Sequence, residues 1–153
     1  MLVLPLLLTI KVPRLFAGEL DRYTDSKIYT FMSRLSVFRN RLREYCADRG
    51  STVNQWSGAS RKSRNLIHIR GHYDTILYVK VRSASPGFWG LNENQLEALQ
   101  TSECVWYSVL LVGGAEDGYV LSNEQVNAAI RQSRWSRSDT DFKIHEGEEL
   151  NGA

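Results

Sequence analysis

Residues 105–112 read VWYSVLLV, an apolar run broken only by Ser108 and ended by Gly113 and Gly114. A strand with one face in water alternates apolar and polar side chains. This run does not alternate, so it predicts a central strand covered on both faces. A chain of 153 residues can build one such core but not two full ones. The rest of the sequence must therefore supply neighbouring strands and a covering layer for each face.

It has the material to do so. Ile28, Phe31, Met32, Leu35, Phe38, Leu42, Tyr45 and Cys46 recur at helical spacing and predict a long helix over 25–48, capped by Thr24 or Asp25 and stopped at Gly50. Cys46 on that stripe reads as a small buried hydrophobe. Residues 52–56 suit a short strand. Residues 66–70 and 73–82, the latter containing ILYVKV, read as a hairpin turning at Gly71. Residues 83–90 (SASPGFWG) read as a loop. Asn92 with Gln95, and Ser122 with Gln125, are capping patterns that open two short helices. A short strand is expected at 119–121 and an edge strand at 142–144, with Trp135 closing the packed part. The predicted class is α/β (α+β): a single mixed central sheet flanked by helices in the order α-β-β-β-α-β-α. One globular domain is expected over 19–145, with a frayed tail over 146–153. The opening MLVLPLLLTI is too short to span a bilayer, has no basic residue ahead of it and is interrupted by Pro5. Residues 1–18 are left as an edge strand, a stretch upstream of the native start or a weak signal.

The formal net charge of +2 conceals a division. Residues 34–70 hold nine basic residues and two acids, a net +7, whereas 83–130 hold six acids and no Lys or Arg. Arg61, Lys62 and Arg64 lie among serines on a polar loop, where cations and hydroxyls can follow a phosphate backbone. Arg39 and Arg43 sit one helical turn apart. Phe88 and Trp89 either stack on an unpaired base or pack back on the sheet. These residues form a candidate nucleic-acid surface, with DNA ahead of RNA. The same division also suits a protein-interaction module that docks on an acidic surface or on a second copy as a homodimer, with Phe88 and Trp89 as anchors.

The element order, the Lys inside ILYVKV, the loop SPGFWGL, the helix NENQLEAL and the strand WYSVLLV together resemble the restriction-endonuclease-like superfamily, whose motif is PD-(D/E)xK. The resemblance covers roughly residues 25–132. It implies a nuclease core in which two acids hold Mg²⁺ and a Lys positions or activates water. Lys80 matches the motif Lys, Asp74 the first acid and metal ligand, and Glu44 a supplementary acid. Tyr78 stands where the second acid belongs, so the implied nuclease site is degraded. The expected function is nucleic-acid binding on this fold, with an active Mg²⁺-dependent nuclease as a further alternative.

Other chemistry is sparse. Two Cys and three His exclude a disulfide scaffold and a Cys-rich zinc framework. Both thiols read as reduced, which places the chain in the cytoplasm. His68 and His72 flank the hairpin turn as a metal pair, an acid/base pair or ordinary sheet histidines. His145 is expected in solvent. Cys104 has no His near it in sequence. No Gly-x-Ser-x-Gly elbow and no phosphate-cradling Gly-x-x-x-x-Gly-Lys loop is present.

Overall fold

The apolar run forms a strand with a neighbour on each side and side chains packed on both faces. A computed structural model describes residues 33–59, 63–82, 87–115, 117–147 and 150. Within them run α1 (Arg34–Ala47), β1 (Thr52–Gln55), β2 (Leu66–Arg70), β3 (Thr75–Val81), β4 (Phe88–Asn92), α2 (Glu93–Thr101), β5 (Val105–Leu111), β6 (Gly118–Ser122), α3 (Asn123–Arg131), β7 (Ser136–Ser138) and β8 (Asp141–His145). The five-stranded sheet has the order β1-β2-β3-β5-β6. β3 and β5 are parallel, and the other pairs are antiparallel. The parallel pair needs a crossover, which β4 and α2 supply. The expected order α-β-β-β-α-β-α is present, with further strands inserted.

Alternation along the strands splits the interior into two cores. Leu66, Ile76, Tyr78, Trp106 and Leu110 face one side and pack with Leu96 and Leu99 of α2 and Val126 and Ala129 of α3. Ile67, Val79, Val109 and Leu111 face the other and pack with Phe38 and Cys46 of α1. Each helix starts on a side-chain cap. Ser33 accepts from the Ser36 N–H at 3.2 Å and Asn92 from the Gln95 N–H at 3.4 Å. Ser122 and Gln125 form a reciprocal capping box. Gly50, at φ 68°, takes the left-handed conformation that ends the chain's exit from α1.

The structure revises the expected loop at 88–90, the expected edge at 142–144 and the expected fraying from residue 146. The described helix begins at Arg34, capped by Ser33, whereas the expected start at residue 25 lies outside the described residues, as does the segment 1–18. Residues 88–90 are strand, not loop, because β4 pairs with β8, and β8 with β7, in a second, three-stranded sheet. The mixed central sheet stands as expected with this smaller sheet added to it, and 142–144 lies at the middle of the smaller sheet, not at an edge. It closes over the larger core through Trp89, Leu91 and Ile144. The start of the tail is also held. Glu146 pairs with Arg82 and accepts from the Tyr119 hydroxyl at 2.8 Å, and Leu150 is only 4% exposed in the larger core. Among the described residues no helix is long and apolar enough to cross a membrane.

Candidate functional site

Three places in the fold gather side chains with chemistry: the inner face of β3 around Lys80, the basic face of α1, and the sheet end at the β2–β3 turn.

Ile76, Tyr78 and Lys80 point to the larger core, while Leu77, Val79 and Val81 point to α1. Glu44 is exposed on α1, so the sheet separates it from Lys80. Asp74 precedes β3, and six residues of extended chain set it about 20 Å from Lys80. The expected set Asp74, Lys80 and Glu44 is thus spread over two ends and two faces of the sheet. Magnesium requires hard oxygen ligands that converge, and these residues do not fit it. Tyr78, two positions before Lys80, has a structural role. Tyr78 is 0% exposed, and its hydroxyl accepts the Asn92 N–H at 2.9 Å. Burial pushes its phenol far above the ordinary tyrosine range, so it stays neutral.

Lys80 is half-buried, with Nζ 5.7 Å from the centre of the Tyr78 ring. Burial lowers its pKa, and the charge of Asp141 acts in the opposite direction. Asp141 enters from β8, where its carboxylate accepts from Asn92 Nδ2 at 2.9 Å. Nothing near Lys80 in sequence points to Asp141. Only the pairing of β4 with β8, which sets Asn92 opposite Asp141, delivers it.

The two aromatics do not form a stacking platform. Trp89 is 0% exposed, and its Nε1–H donates to the Leu111 carbonyl at 2.9 Å. It is a core residue and reaches neither a base nor a partner. Phe88 is half-buried on β4, opposite His145, with Lys143 Nζ 5.2 Å from its ring centre. His145 is held in β8 rather than in open solvent. Among the described residues, the large aromatic that is exposed is Tyr73, at 77%, on the β2–β3 turn with His72 packed edge-on at 4.4 Å.

The basic residues do converge. Arg39 and Arg43 share one face of α1, four residues apart. Arg64, from the segment between β1 and β2, comes close enough that it and Arg43 both lower the Arg39 pKa, after burial, the larger cause. Arg39 Nε is buried and has no hydrogen-bond partner among the described residues. Arg43 donates to Asn40 Oδ1 at 3.4 Å. Arg61 and Lys62 lie outside the described residues. Three guanidinium groups are thus near enough to influence one another, and one of them holds a buried donor without a partner among the described residues.

At the other end of β2, His68, Asp74 and Cys104 each place one ligand atom within 4.8 Å of the others. The registers explain the meeting. His68 lies opposite Ile76, and Ile76 opposite Trp106, so all three point to the same face. Asp74 and Cys104 stand one residue before β3 and β5, which run side by side, and so share that face at the sheet end. His68 Nε2 is 3.4 Å from Asp74 Oδ2. His72 does not join the group. The sequence separates these residues by up to 36 positions, and the usable signal was strand parity, which only a known register turns into proximity.

No protein-family model matches the chain, and no curated protein matches it. Among solved structures it is similar to Hjc, a Holliday junction resolvase of the archaeal hyperthermophile Archaeoglobus fulgidus. The identity is 19% and the TM-score 0.45, over 72% of this chain and 87% of that one.

Proposed function

We propose that the protein binds nucleic acid, duplex DNA ahead of RNA, through Arg39, Arg43 and Arg64, on a restriction-endonuclease-like fold whose nuclease site is degraded. The convergence of these three cations on α1 and the segment before β2 carries this reading. Like charges held together repel, and a run of phosphates relieves that repulsion while satisfying the donors. Arg61 and Lys62 stand three and two positions before Arg64 in the sequence and add two positive charges to that stretch. Duplex backbone is favoured over unpaired bases because Trp89 is committed to the core and the exposed Tyr73 lies beyond the far end of β2 from Arg64. Tyr78 in the place of an acid, and the separation of Asp74 and Glu44 from Lys80, support binding without magnesium-dependent cleavage.

The test is binding of a labelled duplex and of a single strand by fluorescence anisotropy over a salt series, with light scattering alongside. Duplex affinity that falls steeply with salt, and falls further when the arginines are replaced, supports the proposal. A salt-sensitive dimer with no affinity for either oligonucleotide overturns it in favour of a module that docks on acidic protein surface.

A further inference from the structure

We propose that His68, Asp74 and Cys104 form a binding site for a borderline-soft divalent cation of the zinc class. The site is independent of the basic surface and of Lys80. It offers one imidazole nitrogen, one carboxylate oxygen and one thiol sulfur, all within 4.8 Å of one another. Ligands around a tetrahedral zinc ion stand somewhat closer than that, so small side-chain rotations close the site. A thiol and an imidazole are poor ligands for magnesium or calcium and good ones for zinc.

A second observation points to a ligand. His68 is 7% exposed, and its Nε2 is buried with no hydrogen-bond partner among the described residues, although Asp74 Oδ2 lies 3.4 Å away. A buried imidazole nitrogen aimed at a carboxylate, yet not bonded to it, is costly unless something sits between them. The arrangement argues against a thiol–imidazole–carboxylate catalytic triad. In a triad the two ring nitrogens serve the thiol and the carboxylate, whereas His68 Nδ1 instead accepts from Arg70 Nε at 3.4 Å. That contact leaves the proton on Nε2. On metal binding this proton passes to Nδ1, the contact with the exposed Arg70 side chain is given up, and the Cys104 thiol releases its proton to solvent as the metal–sulfur bond forms. The Asp74 side chain is 51% exposed, which gives the ion an entry path and leaves solvent at the fourth position.

The experiment titrates the full chain with Zn²⁺ by calorimetry and with Co²⁺ by absorption. The expected result is one ion per chain, a thiolate-to-cobalt charge-transfer band in the near ultraviolet, and proton release. Cys104→Ser should abolish the band, and Cys104→Ser and His68→Gln should each weaken zinc binding at least tenfold. Cys46→Ala and His72→Gln should keep both signals. Asp74→Asn, on an exposed side chain, keeps the test informative if a His68 variant does not fold, and should weaken binding several-fold. Failure to saturate below millimolar metal, a charge-transfer band that survives Cys104→Ser, or zinc binding unchanged by Cys104→Ser and Asp74→Asn overturns the proposal.

Discussion

Replacing Arg39, Arg43 and Arg64 with Gln, singly and together, should change the salt dependence of duplex binding by a countable amount. Each cation that neutralises a phosphate adds about −0.9 to the slope of log K against log salt on B-form DNA. Three converging arginines give a slope of about −2.7, so raising salt fourfold, from about 50 to 200 mM, weakens binding about 40-fold. Arg61 and Lys62 bring the slope to about −4.5 when both also reach phosphates, and the measured value counts them. Each single substitution should reduce the magnitude by about 0.9, and the triple variant should retain no more than about −1.8. Anisotropy of a labelled duplex, measured over at least four salt concentrations, provides the slopes. Folding should not suffer. Arg39 loses two repulsive neighbours when it is neutralised, so its Gln variant should unfold at the same or a higher denaturant concentration. A slope unchanged in the triple variant would falsify the assignment of this face. A variant that loses affinity at every salt equally, with its slope intact, would show that the arginines act by packing and not by charge.

Tyr78→Phe should cost about 1–3 kcal/mol in urea unfolding, because the half-buried Asn92 N–H loses its acceptor. A neutral result would mean that water replaces the hydroxyl. Trp89→Phe should destabilise by about 1–3 kcal/mol through lost volume and the lost donor to Leu111, while duplex affinity stays within about twofold. A selective loss of binding would return Trp89 to the interface. Lys80→Met should leave stability at neutral pH unchanged or raise it by up to about 2 kcal/mol, because a charge is no longer buried. The lysine pKa is lower in the folded state, so the unfolded chain holds more protons between the folded value and the ordinary lysine range. The native protein therefore gains stability on Lys80→Met as pH rises through that window, and paired denaturation curves should show the gap narrowing. Incubation with Mg²⁺ or Mn²⁺ should leave supercoiled plasmid uncut. Nicking that disappears in Lys80→Ala would restore the nuclease reading.

Much of the architecture was legible because it rests on local pattern. The unbroken apolar run of β5, the alternating run of β3, the stripe of α1 and the capping pairs Asn92–Gln95 and Ser122–Gln125 each impose a period or an end that few alternative structures satisfy. β4 was misread because Phe88–Asn92 contains a glycine and follows a proline, which resembles a loop. Its strand identity comes from pairing with β8, more than fifty residues later. For Trp89 the sequence left both a base and the sheet open, and only the partner strand, which turns it inward, decides for the sheet. The helix start at Arg34 shows the limit of periodicity, which does not register the Ser33 cap that opens the hydrogen-bonded turn.

The residues alone determined that there is a sheet covered on both faces, which helix carries the cations, and that a tyrosine stands two positions before Lys80. Those properties follow from side-chain type and spacing, which do not depend on what lies across the fold. The tertiary structure alone decided which charges meet. It set Asp74 and Lys80 at opposite ends of β3, put Glu44 behind the sheet, brought Arg64 to Arg39 and Arg43, and joined His68, Asp74 and Cys104. Contacts between distant segments depend on strand register and on the face each residue takes, and a shift of one residue would move every side chain of the slipped strand to the other face.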